Sequence, residues 1–206
     1  MKRLILGVFL LQVLIVAFLG IPAGGAADAQ WRDEDTGLLV RQETPAKTME
    51  SFYRLAENDG FDAAVLLFTE EEQVYLNGDI LEAYFQNMQM NDSKLIKVFS
   101  SSITGEYAVV ASLSEIDFKN EGVQPVVSFH TLTEKNGKWE IIQMLNDAEL
   151  LHVKQIFERA LEVSDRILKD SLAEFDQDQK ENIIVQVKMG RQVLSENLDQ
   201  VNEMLK

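Results

Sequence analysis

LIKVFSSSITGEYAVVASLSEIDFKNEGVQPVVSFHTLTEKNGKWEIIQML, residues 95–145, is the stretch that decides the fold. Apolar and β-branched residues dominate 95–103, 107–116, 123–133 and 139–145, the lengths and compositions of strands. Short polar breaks separate them: Thr104-Gly105-Glu106, Asn120-Glu121-Gly122 and Asn136-Gly137. The last is the strongest hairpin signal, because both residues tolerate positive φ. Four strands joined by short turns predict an antiparallel meander. Pro125 stands near the start of its strand, where a missing ladder donor costs least.

Upstream the period changes from two to 3.6. Thr44-Pro45 is an N-cap followed by proline at the first helical position. Met49, Phe52, Tyr53 and Ala56 then recur on one helical face. Asn58-Asp59-Gly60 breaks that helix. Phe61, Ala64, Val65 and Phe68 predict a second, and Glu70-Glu71-Glu72 reads as a solvated loop. A third helix is predicted from Asp79, with Glu82 completing a capping-box variant, and Leu81, Tyr84, Phe85 and Met88 form its buried stripe. Residues 44–146 therefore read as an α+β domain: three N-terminal helices on a curved four-stranded antiparallel sheet.

PAKTMESFYRLAENDGFDAA, residues 45–64, followed by a third helix and a bent antiparallel sheet, resembles the nuclear transport factor two-like superfamily, in particular the opening of its exported bacterial members. The resemblance covers about half of the chain. It implies a cone in which helices pack on a curved sheet, in some members around a ligand cavity. Isomerases, dehydratases, cyclases and non-catalytic binding or dimerising modules share that fold. The superfamily's enzymes place a carboxylate or a His–Asp pair in the cone, with Tyr or Asp donors facing the developing oxyanion.

That expectation selects Tyr53, Tyr84, Tyr107, Asp117 and His130 as cavity candidates. His130 shares one strand face with Val126, Ser128 and Leu132, so it reads either as a cavity base or as a structural residue. His152 reads as a surface residue. No acid–base pair is legible, and no catalytic residue is expected. Two His and no Cys exclude most zinc sites and every thiol nucleophile. Phosphate-binding, dinucleotide-binding and hydrolase motifs are absent from the sequence, so no cofactor is expected. The reading is a non-enzymatic binding or protein-interaction module, with a small apolar molecule as one class of ligand. The alternative is an isomerase- or dehydratase-type enzyme using a cone lined by Tyr and His130.

Residues 147–206 extend beyond that domain. Asn146 with Glu149 caps a predicted helix whose apolar stripe is Leu150, Val153, Phe157, Ala160, Leu161, Ile167, Leu168 and Leu172. Phe175-Asp176-Gln177 is the predicted turn, and Asp178 with Glu181 caps a second helix. There Ile184, Val187, Arg191, Leu194, Leu198, Val201 and Leu205 step by three and four, a heptad seam in which only Arg191 is polar. The pair predicts an antiparallel helical hairpin. Its seam packs within the chain or joins a homodimer or protein partner. Asp176-Gln177-Asp178 begins like a calcium loop, but Lys180 and a missing glycine break that pattern.

The N-terminus reads as an export signal over residues 1–29. Lys2 and Arg3 precede a run over residues 4–20 that only Gln12 interrupts, and Ala27-Asp28-Ala29 is an A-x-A cleavage site. Cleavage there starts the mature chain at Gln30, and residues 30–43 read as a polar linker. The Asp33-Glu34-Asp35 cluster is a solvated loop or a cation contact. The destination is secreted, periplasmic or cell-surface. The alternative is an uncleaved anchor, since residues 4–20 reach the lower limit for spanning a bilayer. Removing Lys2, Arg3 and Asp28 leaves 17 basic and 33 acidic side chains, a net charge of −16. Such a chain repels phosphate backbones, which argues against nucleic-acid binding.

Overall fold

The computed structural model describes residues 29–87, 94–118, 122–143, 150–170 and 172–206. They form an α+β fold with antiparallel sheets and, among the described residues, six helices.

Residues 30–43 differ from the expected linker. β1 (Gln30–Arg32) and β2 (Leu39–Arg41) pair antiparallel, with Trp31 opposite Val40. The acidic cluster closes this hairpin. The Thr36 amide donates to Asp33 Oδ2 at 2.8 Å, the Thr36 hydroxyl donates to the same oxygen, and Gly37 supplies a φ of 69°. Val40 is fully buried and Trp31 packs on the core. A local side-chain bond organises the segment, and hydrophobic periodicity carries no trace of it.

Four helical segments precede the main sheet: α1 (Pro45–Ala56), α2 (Phe61–Val65), α3 (Glu70–Gln73) and α4 (Gly78–Asn87). Thr44 caps α1 as expected, accepting the Lys47 amide at 3.3 Å. Met49, Phe52, Tyr53 and Ala56 are buried along it. The turn α3 replaces the loop predicted from Glu70-Glu71-Glu72. Glu72 is buried there because its carboxylate accepts the Gln143 amide. The first turn of α4 is held by Asn77, not Asp79: Asn77 Oδ1 accepts the Ile80 amide at 2.8 Å. Leu81 and Phe85 face the core, whereas Tyr84 is 40% exposed. Met88, the last expected member of that stripe, lies outside the described residues.

The main sheet runs in chain order: β3 (Lys94–Thr104), β4 (Tyr107–Phe118), β5 (Gly122–Lys135) and β6 (Lys138–Ile142), each antiparallel to the next. The predicted Asn136-Gly137 turn takes φ values of 55° and 79°. The fourth strand stops at Ile142, and Leu145, where it was expected to end, lies outside the described residues. Two register shifts interrupt β3, between Leu95 and Lys97 and between Val98 and Ser100. Such irregularities bend a strand and increase its twist.

The two-residue period of β4 assigns its faces. Ala108 and Val110 join Met49, Phe52, Phe68 and Leu81 in the core beneath α1–α4. Tyr107, Val109, Ala111 and Leu113 point the other way, into two clusters under the C-terminal helices. Burial on both faces explains why this strand reads as a continuous small apolar run.

The expected hairpin forms from α5 (Leu150–Asp170) and α6 (Gln177–Met204), and it covers that second face of the sheet. The predicted cap residues Asn146 and Glu149 lie outside the described residues. For α6 the capping box is Asp176 with Gln179, two residues before the expected Asp178 with Glu181. Residues buried on α6 are Ile183, Val187, Gly190, Leu194 and Val201. Ile183 and Gly190 thus replace Ile184 and Arg191 of the predicted seam; Ile184 and Leu198 are half-buried, and Leu205 is 42% exposed. The seam is rotated because α6 meets both α5 and the sheet rather than one partner helix. Arg191 escapes the seam and donates from Nε to Asp165 Oδ1 at 2.8 Å across the hairpin. Each fully buried aliphatic side chain such as Ile183 or Val187 contributes about 1.5–3 kcal/mol. Among the described residues no helix is long and apolar enough to cross a membrane; residues 4–20 lie outside them.

Candidate functional site

The sheet register sets up a polar patch beneath α1. Ser112 on β4 pairs with Ser128 on β5, and Val110 with His130. Ser112, Ser114, Ser128 and His130 therefore share one face. Val98 lies opposite Ser112 on β3, Leu95 lies opposite Ser114, and Val126 lies opposite Ser114 on β5. Hydroxyls on the central strand are thus framed by apolar side chains on the strands beside it. Val98, Val126, Ser128 and His130 are partly exposed, while Ser112 and Ser114 are fully buried.

Tyr53 of α1 reaches down to this patch. Its hydroxyl lies 3.0 Å from Ser112 Oγ and 3.2 Å from His130 Nε2, and Ser112 Oγ lies 2.9 Å from the same nitrogen. The Tyr53 and His130 rings meet edge to face, with centroids 5.8 Å apart. Ser114 Oγ neighbours the Tyr53 hydroxyl without the geometry of a hydrogen bond and has no partner.

Burial fixes the protonation of this group. It pushes the Tyr53 hydroxyl upward, only partly countered by the surrounding Ser112, Ser128 and Ser114 hydroxyls, and Tyr84 adds to the rise. Tyr84 is itself raised by burial. Desolvation lowers His130 to about 4. At neutral pH the site holds a protonated phenol, an uncharged imidazole and serine hydroxyls. Among the described residues no carboxylate hydrogen-bonds His130. The patch offers neutral hydrogen bonds and carries no fixed charge.

Of the predicted cavity residues, Tyr53 and His130 meet directly, and Tyr84 lies close enough to perturb Tyr53. Tyr107 does not belong with them. An odd-numbered position on β4 points it to the opposite face, where it packs with Ile156, Phe157 and Leu194 and meets the His152 ring at a tilt, with centroids 4.9 Å apart. His152 is correspondingly half-buried rather than a free surface residue. The side chain of Asp117 lies outside the described residues. Ser112 and Ser114 join the site although neither was among the expected cavity residues, and Ser128 was expected only as a neighbour of His130 on its strand face. The signal for Ser112 and Ser114 was two serines spaced by two within the apolar run from Ala108 to Leu113 and its edge.

A separate cleft of about 250 Å³ is lined by Asp33, Asp35, Thr36, Asn58, Asp59 and Asp62, among others. The Asp33 carboxyl there is held below its usual range, foremost by the Thr36 hydroxyl. Among the described residues no group of three His, Cys, Asp or Glu is arranged to hold a metal ion.

No protein-family model matches the chain, and no curated relative matches it. A solved structure similar to part of it is the solution structure of a SEC-C motif containing protein from Rhodopseudomonas palustris. It is 19% identical over 48% of this chain and 75% of that one, with a TM-score of 0.41.

Proposed function

We propose that the chain is an exported, non-enzymatic binding module whose residues 44–146 adopt the cone of the nuclear transport factor two-like superfamily. The order of elements, with helices before a four-stranded antiparallel meander, supports that architecture, as do the irregularities in β3. The observation that carries the functional reading is the partnership of His130. Its Nε2 faces two hydroxyls and no carboxylate, and burial keeps the ring uncharged near neutrality. A general base needs a pKa near the operating pH and a group that orients it. His130 has neither. The C-terminal hairpin spends its buried side chains on the sheet and on its own partner helix. Export follows from the signal read over residues 1–29, with an uncleaved anchor over residues 4–20 as its alternative.

One observation favours the runner-up, an isomerase- or dehydratase-type enzyme: a Tyr–His pair within hydrogen-bond reach in a poorly solvated site. Two measurements test the readings. Intact mass of the protein from its source is expected to show a chain starting at Gln30. Incubating it in deuterated water with simple enolisable ketones is expected to produce no carbon-bound exchange above background. Exchange that His130→Ala abolishes while the fold survives overturns the non-enzymatic reading.

A further inference from the structure

We propose that Asn136 is a site of spontaneous covalent modification in the folded chain: its side chain closes on the Gly137 amide, and water reopens the ring to an aspartyl or isoaspartyl residue, the second of which loosens the β5–β6 hairpin. Asparagine is among the chemically labile residues. The chain contains two Asn-Gly pairs, Asn77-Gly78 and Asn136-Gly137. The fold holds the first and leaves the second open.

In this reaction the Gly137 nitrogen attacks Asn136 Cγ. A C–N bond forms, the carboxamide nitrogen leaves as ammonia with the proton that Gly137 gives up, and a succinimide ring remains. Water then adds to either ring carbonyl. One opening restores the main chain with an aspartate; the other routes the main chain through the side chain. Closure is favoured by a small residue after the asparagine, a free attacking amide and a carboxamide free to turn. Asn136 meets all three conditions. A Cβ built on Gly137 would meet no atom within 4 Å, so nothing crowds the approach. Asn136 is exposed, and among the described residues no hydrogen bond engages its carboxamide or the Gly137 amide.

Asn77 lacks this freedom. Its Oδ1 accepts the Ile80 amide at 2.8 Å, its carbonyl accepts the Leu81 amide at 2.9 Å, and Gly78 is buried against the Asp62 side chain. Asp59-Gly60, a pair that closes the same ring more slowly, is held too, because the Gly60 amide donates to the Leu55 carbonyl at 2.8 Å. The damage at Asn136 follows from the ladder. Lys135 and Lys138 stand opposite each other across the two-residue turn. The isoaspartyl form adds one backbone atom to that turn, and turn length fixes hairpin register. The Trp139 and Ile141 amides donate away from β5, to the Gln42 and Leu67 carbonyls. Alternation therefore turns the Lys138 and Glu140 amides towards β5, and theirs are the bonds that weaken.

The test is peptide mapping by mass spectrometry of the full chain aged in mildly alkaline buffer, folded and in urea. In the folded chain the peptide containing Asn136 is expected to gain aspartyl and isoaspartyl products about five-fold faster than the peptide containing Asn77, the kinetic worth of one capping hydrogen bond that has to break first. In urea, where neither cap nor turn persists, the two rates are expected to converge. The isoaspartyl form, separated by chromatography, is expected to show faster hydrogen exchange at the Glu140 amide. Asn136→Asp, which adds the same charge without lengthening the turn, is expected to keep the parent rate there. Equal rates at the two asparagines in the folded chain, or a difference that persists in urea, overturns the proposal. So does parent-like exchange at Glu140 in the isoaspartyl form, or an equal rise in Asn136→Asp.

Discussion

The amide of Val127 donates to Oε1 of Gln186 at 3.0 Å, so a side chain of α6 occupies a ladder position on the edge of β5. The same carboxamide donates from Nε2 to the Pro125 carbonyl. On the N-terminal side of Thr131, β5 has no β6 residue to pair with among the described residues. An exposed strand edge is a template for unwanted pairing, and Gln186 covers this one with the donor and acceptor a neighbouring strand would have supplied.

Replacing Gln186 by Ala is therefore expected to destabilise the chain by about 1–2 kcal/mol, the worth of two hydrogen bonds. Hydrogen exchange gives the site-specific check. The Val127 amide should exchange faster than in the parent, while amides of β4 at the same level should not.

Acid sensitivity follows from His130. Its folded-state pKa of about 4 lies below the ordinary 6.5, so the unfolded chain takes up this proton first. Stability from this group is complete above pH 6.5 and is lost as pH falls towards 4. The full shift corresponds to about 3 kcal/mol, less whatever solvent reaches the part-exposed ring. Tyr53 and Ser112, the hydrogen-bond partners of its Nε2, are uncharged across this range. Urea melts at pH 7 and pH 4.5 should show a larger acid loss in the parent than in His130→Asn. Equal losses would remove His130 as the cause.

Tyr53→Phe deletes one corner of the triangle and leaves the 2.9 Å contact between Ser112 and His130 intact. The expected cost is about 1 kcal/mol in chemical denaturation, with an unchanged fold. Tyr53→Ala also removes a fully buried ring and should cost about 3–5 kcal/mol.

Leu194→Asp and Val187→Asp each place a charge among buried apolar side chains of α5 and the sheet, and should cost about 3 kcal/mol or more. Leu198→Asp, at a half-buried position, should cost about 1 kcal/mol. Because the contacts lie within one chain, light scattering should give the parent mass for every variant that remains folded. A shift from dimer to monomer on Leu194→Asp would show that the seam also joins two chains.

Local periodicity determined the α1 stripe, the meander with its Asn136-Gly137 turn, and the existence of two long C-terminal helices. Each is written in spacings of two, three or four residues, because backbone geometry repeats at those intervals. Tertiary packing decided the rest. Residues 30–43 became a hairpin through one Asp33–Thr36 contact that no periodicity records. The seam of α6 moved from Ile184 and Arg191 to Ile183 and Gly190, because the helix rests on a sheet as well as on another helix. Sequence alone could not choose between a seam turned inward and a seam turned to a partner, since the same apolar stripe serves either. The site shows the same division. Alternation along β5 put Ser128 and His130 on one face, but only the strand register brought Ser112 opposite Ser128 and lowered Tyr53 between them. Register and helix placement are long-range properties, fixed by which surfaces exclude water together, and no single segment contains them.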